Sequence, residues 1–191
     1  MKELAIFNMI PEYTRSGCSI LGSWGKATLN GNLLHLRALD WDINSPAKKY
    51  PMITIYESNE PGSNVVANIG YAGLIGILTG MSKNGLTVGE KYLFIKDPSP
   101  YDIPPLTTYF GQPWMSVLRD TIQFSKNKDD IYHHLSTAKR TCSIHLGFAS
   151  VPDRSFRGYD YAANWLYSYD DKNYTFYSES HPQLDGVFYL N

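Results

Sequence analysis

The 191 residues carry 17 Lys and Arg against 18 Asp and Glu, a net charge of −1, with 43% hydrophobic and 18% charged residues. This is the balance of one folded domain with a full core. No basic run offers a surface to nucleic acid or anionic lipid, and no apolar stretch reaches the roughly 18 residues of a membrane span, so a small-molecule ligand is expected.

The chain opens with "MKELAIFNMIPEYTRSG", which lacks the hydrophobic length of a secretory signal. Read literally the protein is cytosolic. A lone sequon at Asn173 to Thr175 and a leader outside the chain would instead fit a secreted or lysosomal setting, so the compartment stays open. Ser19 to Thr28 and Leu33 to Trp41 read as strands around the Asn30-Gly31 hairpin signal in "LNGN". Pro51 to Ser58 is a further strand, and Gly73 to Gly80, nearly all apolar, reads as a strand buried on both faces. Asn84-Gly85 marks the next turn.

Lys96 to Gln112 is rich in Pro and Tyr and has no period. Beyond Pro113, a residue suited to a first helical position, Trp114, Val117, Leu118 and Ile122 recur at helical spacing. A second helix follows, with Asn127 as cap, Asp130 in its first turn, and Ile131, Leu135 and Ala138 on one face. "TCSIHLGFAS", "FRGYDYAANW" and "NYTFYSES" return to strand character. Strands, a helix pair and strands again predict an α+β fold of antiparallel sheets in layers.

Chemistry concentrates around Cys18, one of two cysteines. It follows Gly17, and cutting the Gly17-Cys18 bond would give Cys18 a free α-amine with a pKa near ~8, able to accept its own thiol proton. Arg37 and Asp40 lie in the otherwise apolar "LLHLRALDW", where charges are seldom buried unless paired or functional. A hairpin would bring Arg37 near Cys18 to stabilise a thiolate, and Asp40 would bond the α-amine or a substrate head group. Their odd spacing sends Arg37 and Asp40 to opposite faces unless a bulge or the strand end intervenes. The plain alternatives are a buried apolar cysteine and an Arg-Asp pair sealing a sheet edge.

"GCSILGSWGKATLNGNLLHLRALDWD" together with "GILTGMSKNGLTVGE" resembles the N-terminal-nucleophile hydrolases, in the branch of self-processing acyltransferases that includes isopenicillin N acyltransferase, with bile salt hydrolases and acid ceramidase more distant. The resemblance rests on Cys18, then Arg37-Ala-Leu-Asp40-Trp41, then "GMSKNGL" from Gly80 to Leu86. It implies a four-layer αββα sandwich, incomplete toward the C-terminus, with residues 1–17 as pro-segment and residues 18–191 as the domain. It further implies autocatalytic cleavage between Gly17 and Cys18 and attack of the Cys18 thiol on an amide-linked acyl group, which passes to water or an amine. Cys18, Arg37 and Asp40 would be catalytic. Ser82 and Tyr92 fall where relatives place asparagines, and Ser180 and His181 in "ESHP" answer another; all four are oxyanion or substrate candidates.

No cofactor and no metal are expected: His133 and His134 read as a solvent-facing pair, His145 as a hydrogen-bonded strand residue and Cys142 as core. The tyrosine-rich Tyr159 to Tyr177 either packs on a sheet or lines an acyl pocket. A small acyl-amide substrate is the expected partner. A catalytically inactive binding domain of the same fold is the alternative, and a Cys18-Cys142 redox pair a weaker third.

Overall fold

The computed structural model describes residues 1–14, 17–93, 108, 110–175 and 177–190. Helix α1 (Lys2–Tyr13) leads into strands β1 (Cys18–Gly25) and β2 (Gly31–Leu39), then β3 (Pro51–Tyr56), β4 (Val66–Tyr71), β5 (Thr79–Ser82) and β6 (Leu86–Tyr92). Helices α2 (Trp114–Phe124) and α3 (Lys128–Thr137) follow, and β7 (Ile144–Ser150), β8 (Ser155–Tyr161), β9 (Leu166–Tyr169) and β10 (Val187–Leu190) close the order. All strand pairs are antiparallel. β3 to β9 form a seven-stranded sheet in sequence order, and β10, β1 and β2 form a three-stranded one.

One face of the large sheet is apolar and meets the helices: Val66, Leu86, Val88, Leu146 and Tyr159 bury against Leu118, Ile122, Ile131 and Leu135. The Asn127 side chain accepts the amides of Asp129 and Asp130 and so starts α3 as its sequence predicts. Tyr159 and Tyr161 belong to this core, which favours sheet packing for that part of the tyrosine-rich stretch.

The other face receives the small sheet across a row of glycines. Gly89, Gly147 and Gly158 are Cα partners on adjacent strands. A Cβ would stand 2.9 Å from Arg37 Cγ at Gly89, 2.6 Å from Ile20 Cγ2 at Gly147 and 2.3 Å from Phe188 Cζ at Gly158. β2 therefore lies over β6, β1 over β7 and β10 over β8, closer than side chains at that row would permit. Gly158→Ala is expected to cost about 3 kcal/mol in urea unfolding, because the Phe188 ring has to leave its place. An unchanged midpoint would mean that the sheets do not meet there.

Several sequence expectations change. The hairpin loop is residues 26–30, with Gly25 and Gly31 at positive φ (59° and 69°), so Asn30-Gly31 ends a longer turn instead of forming a two-residue one. Residues 73–78 are irregular, with Leu74, Gly76, Ile77 and Leu78 buried and Ile75 exposed, and only Thr79–Ser82 is strand. "NYTFYSES" forms no named strand among its described residues, while β4, β9, β10 and α1 are present where no element was expected. Much of Lys96 to Gln112 lies outside the described residues. Helices, large sheet and small sheet give three of the four expected layers. Among the described residues the outer face of the small sheet presents Leu21, Leu34 and Leu36 to solvent.

Candidate active site

Cys18 is the first residue of β1, opposite Leu39 of β2, and only 2% exposed. Inner-face alternation along β2 brings Arg37 to the same side. Its stem crosses Gly89, and its guanidinium spreads over three groups: Nη2 donates to Cys18 Sγ at 3.2 Å, Nη1 to Thr79 Oγ1 at 3.3 Å and Nε to the Glu90 carbonyl at 3.2 Å. Nη2 also forms an ion pair with Glu90 Oε1, the two side chains being 4% and 5% exposed. The Cys18 thiol faces the same carboxylate, Sγ to Oε1 4.0 Å. Burial raises the Glu90 carboxyl above its ordinary value, against the pull of Arg37. A thiol is thus set between a fixed positive charge and a carboxylate disposed to hold a proton.

Glu90 is the residue that sequence reasoning missed. Its signal was present: Leu86, Val88, Glu90 and Tyr92 alternate along one face of β6, so a carboxylate occupies an otherwise apolar stripe.

Asp40 sits beyond the end of β2, which answers the spacing question: the strand stops between Arg37 and Asp40. Its amide donates to the Gly17 carbonyl at 3.0 Å, and its carboxylate Oδ2 lies 3.7 Å from where a Gly17 Cβ would be. Asp40 therefore attends the Gly17-Cys18 junction, while Arg37 attends the sulfur. Tyr92 lines a narrow cleft with Glu90, Trp41, Trp114 and Cys142, one residue pair along β6 from the ion pair.

The other candidates lie elsewhere. Ser82 bonds Asn84 and accepts the Leu86 amide at 3.2 Å, closing the turn between β5 and β6. Ser180 meets Ser178, and the His181 ring stacks on Tyr189 at 3.8 Å beside Tyr174 and Tyr177, flanking β10. The structure thus gathers Gly17, Cys18, Arg37, Asp40 and Tyr92 at one end of the sandwich and leaves Ser82, Ser180 and His181 out. Cys142 is buried in the main core, and among the described residues neither cysteine forms a disulfide. Among the described residues no group of three His, Cys, Asp or Glu side chains is placed to hold a metal ion.

Helix α1 covers the approach. Asn8 donates to the Gly73 carbonyl (2.8 Å) and accepts the Ile75 amide (2.7 Å), and Glu12 accepts the Trp114 amide at 3.1 Å. Phe7, Ile10 and Pro11 then wall, with Trp41, Leu74 and Leu78, an apolar cavity of about 80 Å³.

This architecture recurs in solved enzymes. A Caenorhabditis elegans ortholog of N-acylethanolamine-hydrolyzing acid amidase superposes on 91% of this chain and 69% of its own, with a TM-score of 0.65 and 14% identity. The chain has the N-terminal-nucleophile hydrolase fold. A variant of the conjugated bile acid hydrolase from Clostridium perfringens superposes on 90% of this chain and 52% of its own, with a TM-score of 0.52 and 14% identity. In sequence, the chain is 30% identical over its full length to protein dcd1A of Dictyostelium discoideum and 33% identical over 75% of its length to dcd1B. It spans 44% and 27% of those two proteins, less than half of either. No family model matches it.

Proposed function

We propose that the chain is a self-processing cysteine amidase of the N-terminal-nucleophile kind, cleaving a small acyl amide. The observation that carries this reading is the Arg37 guanidinium 3.2 Å from Cys18 Sγ, at a Gly-Cys junction whose carbonyl is already held by a backbone donor. Two enzymes of this fold carry amide-hydrolase names, one for N-acylethanolamines and one for conjugated bile acids.

In the uncut chain the Cys18 nitrogen is an amide and cannot take a proton, so Glu90 is the base within reach. The thiol gives its proton to Glu90, and Sγ attacks the Gly17 carbonyl carbon while the Asp40 amide supports the developing oxyanion. The carbon-nitrogen bond breaks, the Cys18 nitrogen collects the proton, and water hydrolyses the Gly17 thioester to a carboxylate. The released α-amine then replaces Glu90 as base. The thiolate attacks the substrate amide, the proton passes to the departing amine, and water releases the acyl group from sulfur. Loss of residues 1–17 uncovers the apolar surface of Trp41, Leu74 and Leu78 that α1 walls over, and this surface gives the acyl chain its place.

Intact mass tests the reading directly. The wild type is expected to lose residues 1–17 and begin at Cys18, while Cys18→Ala remains a full-length chain of about 21.6 kDa. A wild type that stays whole, with a thiol probe no more reactive at Cys18 than at Cys142, would leave an inert binding domain on this fold.

A further inference from the structure

The narrow cleft beside the ion pair has a volume of about 10 Å³, room for about one water. Pro11, Glu12 and Thr14 wall it on the side of α1, and Trp41, Glu90 and Trp114 wall it on the side of the domain. It adjoins the Gly17-Cys18 junction: Asp40, the neighbour of Trp41, donates its amide to the Gly17 carbonyl, and Glu90 Oε1 lies 4.0 Å from Cys18 Sγ.

One lining group is a donor with no acceptor. Trp114 is 3% exposed, and its indole Nε1 has no hydrogen-bond partner among the described residues. A buried N–H in that condition is destabilising and calls for an explanation. Two other lining groups are acceptors. The Glu12 carboxylate takes the Trp114 amide on Oε2 at 3.1 Å, and the Glu90 carboxylate takes Arg37 on Oε1. A carboxylate accepts up to about four bonds, so each has capacity left for a further donor. A single water matches this set. Its oxygen accepts the Trp114 indole N–H, and its two hydrogens go to Glu12 and Glu90, which makes the usual three bonds of a buried water.

We propose that Trp114 Nε1 and the Glu12 and Glu90 carboxylates hold the water that opens the Gly17 thioester and frees residues 1–17. This rests on the self-processing reading above. Helix α1 lies over the approach, so the hydrolytic water of the uncut chain needs a place of its own. The water oxygen adds to the Gly17 carbonyl carbon while one of its protons passes to Glu90. The carbon-sulfur bond breaks, and the sulfur leaves with the proton that Glu90 took, giving the Gly17 carboxyl group and the free Cys18 thiol. Glu12 departs with α1, which dismantles the site. It therefore serves one event in the life of each chain, and hydrolysis of later substrates draws on solvent.

Cell-free synthesis followed by intact mass over time, with and without hydroxylamine, tests the water site. Hydroxylamine is a nucleophile strong enough to open a thioester without a base. The wild type is expected to shed residues 1–17 in both conditions. Trp114→Phe keeps an aromatic ring and loses the N–H. It is expected to be cut about 30-fold more slowly and to regain most of that rate in hydroxylamine, releasing residues 1–17 as the hydroxamate. Glu12→Gln, whose side-chain carbonyl still accepts the Trp114 amide, turns an N–H toward the water and is expected to show a smaller delay with the same rescue. Cutting of Trp114→Phe at the wild-type rate, or a delay that hydroxylamine leaves unchanged in a chain with wild-type circular dichroism, would overturn the water site and keep the self-processing reading. Should Trp114→Phe fail to fold, Glu12→Gln decides by the same two criteria. A wild type that stays whole in both conditions removes the reading and the water site together.

Discussion

Arg37→Met is expected to abolish processing at Gly17-Cys18 and to destabilise the fold by about 3 kcal/mol at pH 7, since it strands the Glu90 carboxylate in the interior. Two consequences are joined in one side chain, and a second substitution separates them. In Arg37→Met/Glu90→Gln the buried charge is gone and most of the lost stability should return, because a neutral amide opposite a thioether is cheap to bury compared with a lone anion. Processing should remain absent, because both the guanidinium that favours the Cys18 thiolate and the carboxylate that takes its proton are gone. The single variant also carries an internal pH check. Burial already raises the Glu90 carboxyl, and without the guanidinium nothing opposes that rise. Glu90 therefore takes a proton readily in Arg37→Met, and the penalty against wild type should shrink between pH 7 and pH 5 in urea titrations. Normal processing of Arg37→Met, read by intact mass, would remove Arg37 from the chemistry and leave it a structural ion pair.

What the sequence revealed and what it concealed divide along a physical line. Cys18 and Arg37 were legible because a charged residue within an apolar run needs a reason and because a hairpin brings the two strands together whatever the loop. Glu90 was as anomalous on its own strand, yet its partner lies on a strand 53 positions away, and no local pattern joins them. The α2 and α3 helices were readable from period and cap. Helix α1 was not, because its moment is weak, Pro11 interrupts its last turn, and its stability comes from Asn8 and Glu12 bonding distant backbone. The irregular 73–78 stretch, buried at Leu74 and from Gly76 to Leu78, imitated a strand because apolar content reports burial and not conformation. The glycine row had no sequence signature at all: Gly89, Gly147 and Gly158 become a feature only when register sets them side by side.

His35→Gln is expected to remove about 3 kcal/mol of acid sensitivity from the fold. His35 lies on the inner face of β2, with Nδ1 2.7 Å from Thr87 Oγ1, its ring edge-on to Phe156 at 4.9 Å and its Nε2 buried with no hydrogen-bond partner among the described residues. Burial first, and the Arg37 charge second, push its pKa from 6.5 down to about 4. A base with a depressed folded pKa binds fewer protons in the native chain than in the unfolded one. Its contribution is complete above pH 6.5 and drains away as the pH falls toward 4, an interval worth about 3 kcal/mol at 1.36 kcal/mol per unit. Glu90 and Asp120 act in the opposite sense, since burial raises both carboxyls and the native state gains protons on acidification. The wild-type curve mixes these signs, so the informative quantity is the difference between wild type and His35→Gln in urea midpoints across pH 7 to 4. That difference should grow steadily on the acid side of 6.5 and stay flat above it. The effect also reaches the nucleophile: a proton on His35 places a second cation beside Arg37 beneath the same glycine, loosening the guanidinium that holds Cys18 Sγ. Parallel stability curves for the two chains would mean that His35 meets water in the folded protein, and the inter-sheet packing that sets the site would have to be drawn differently.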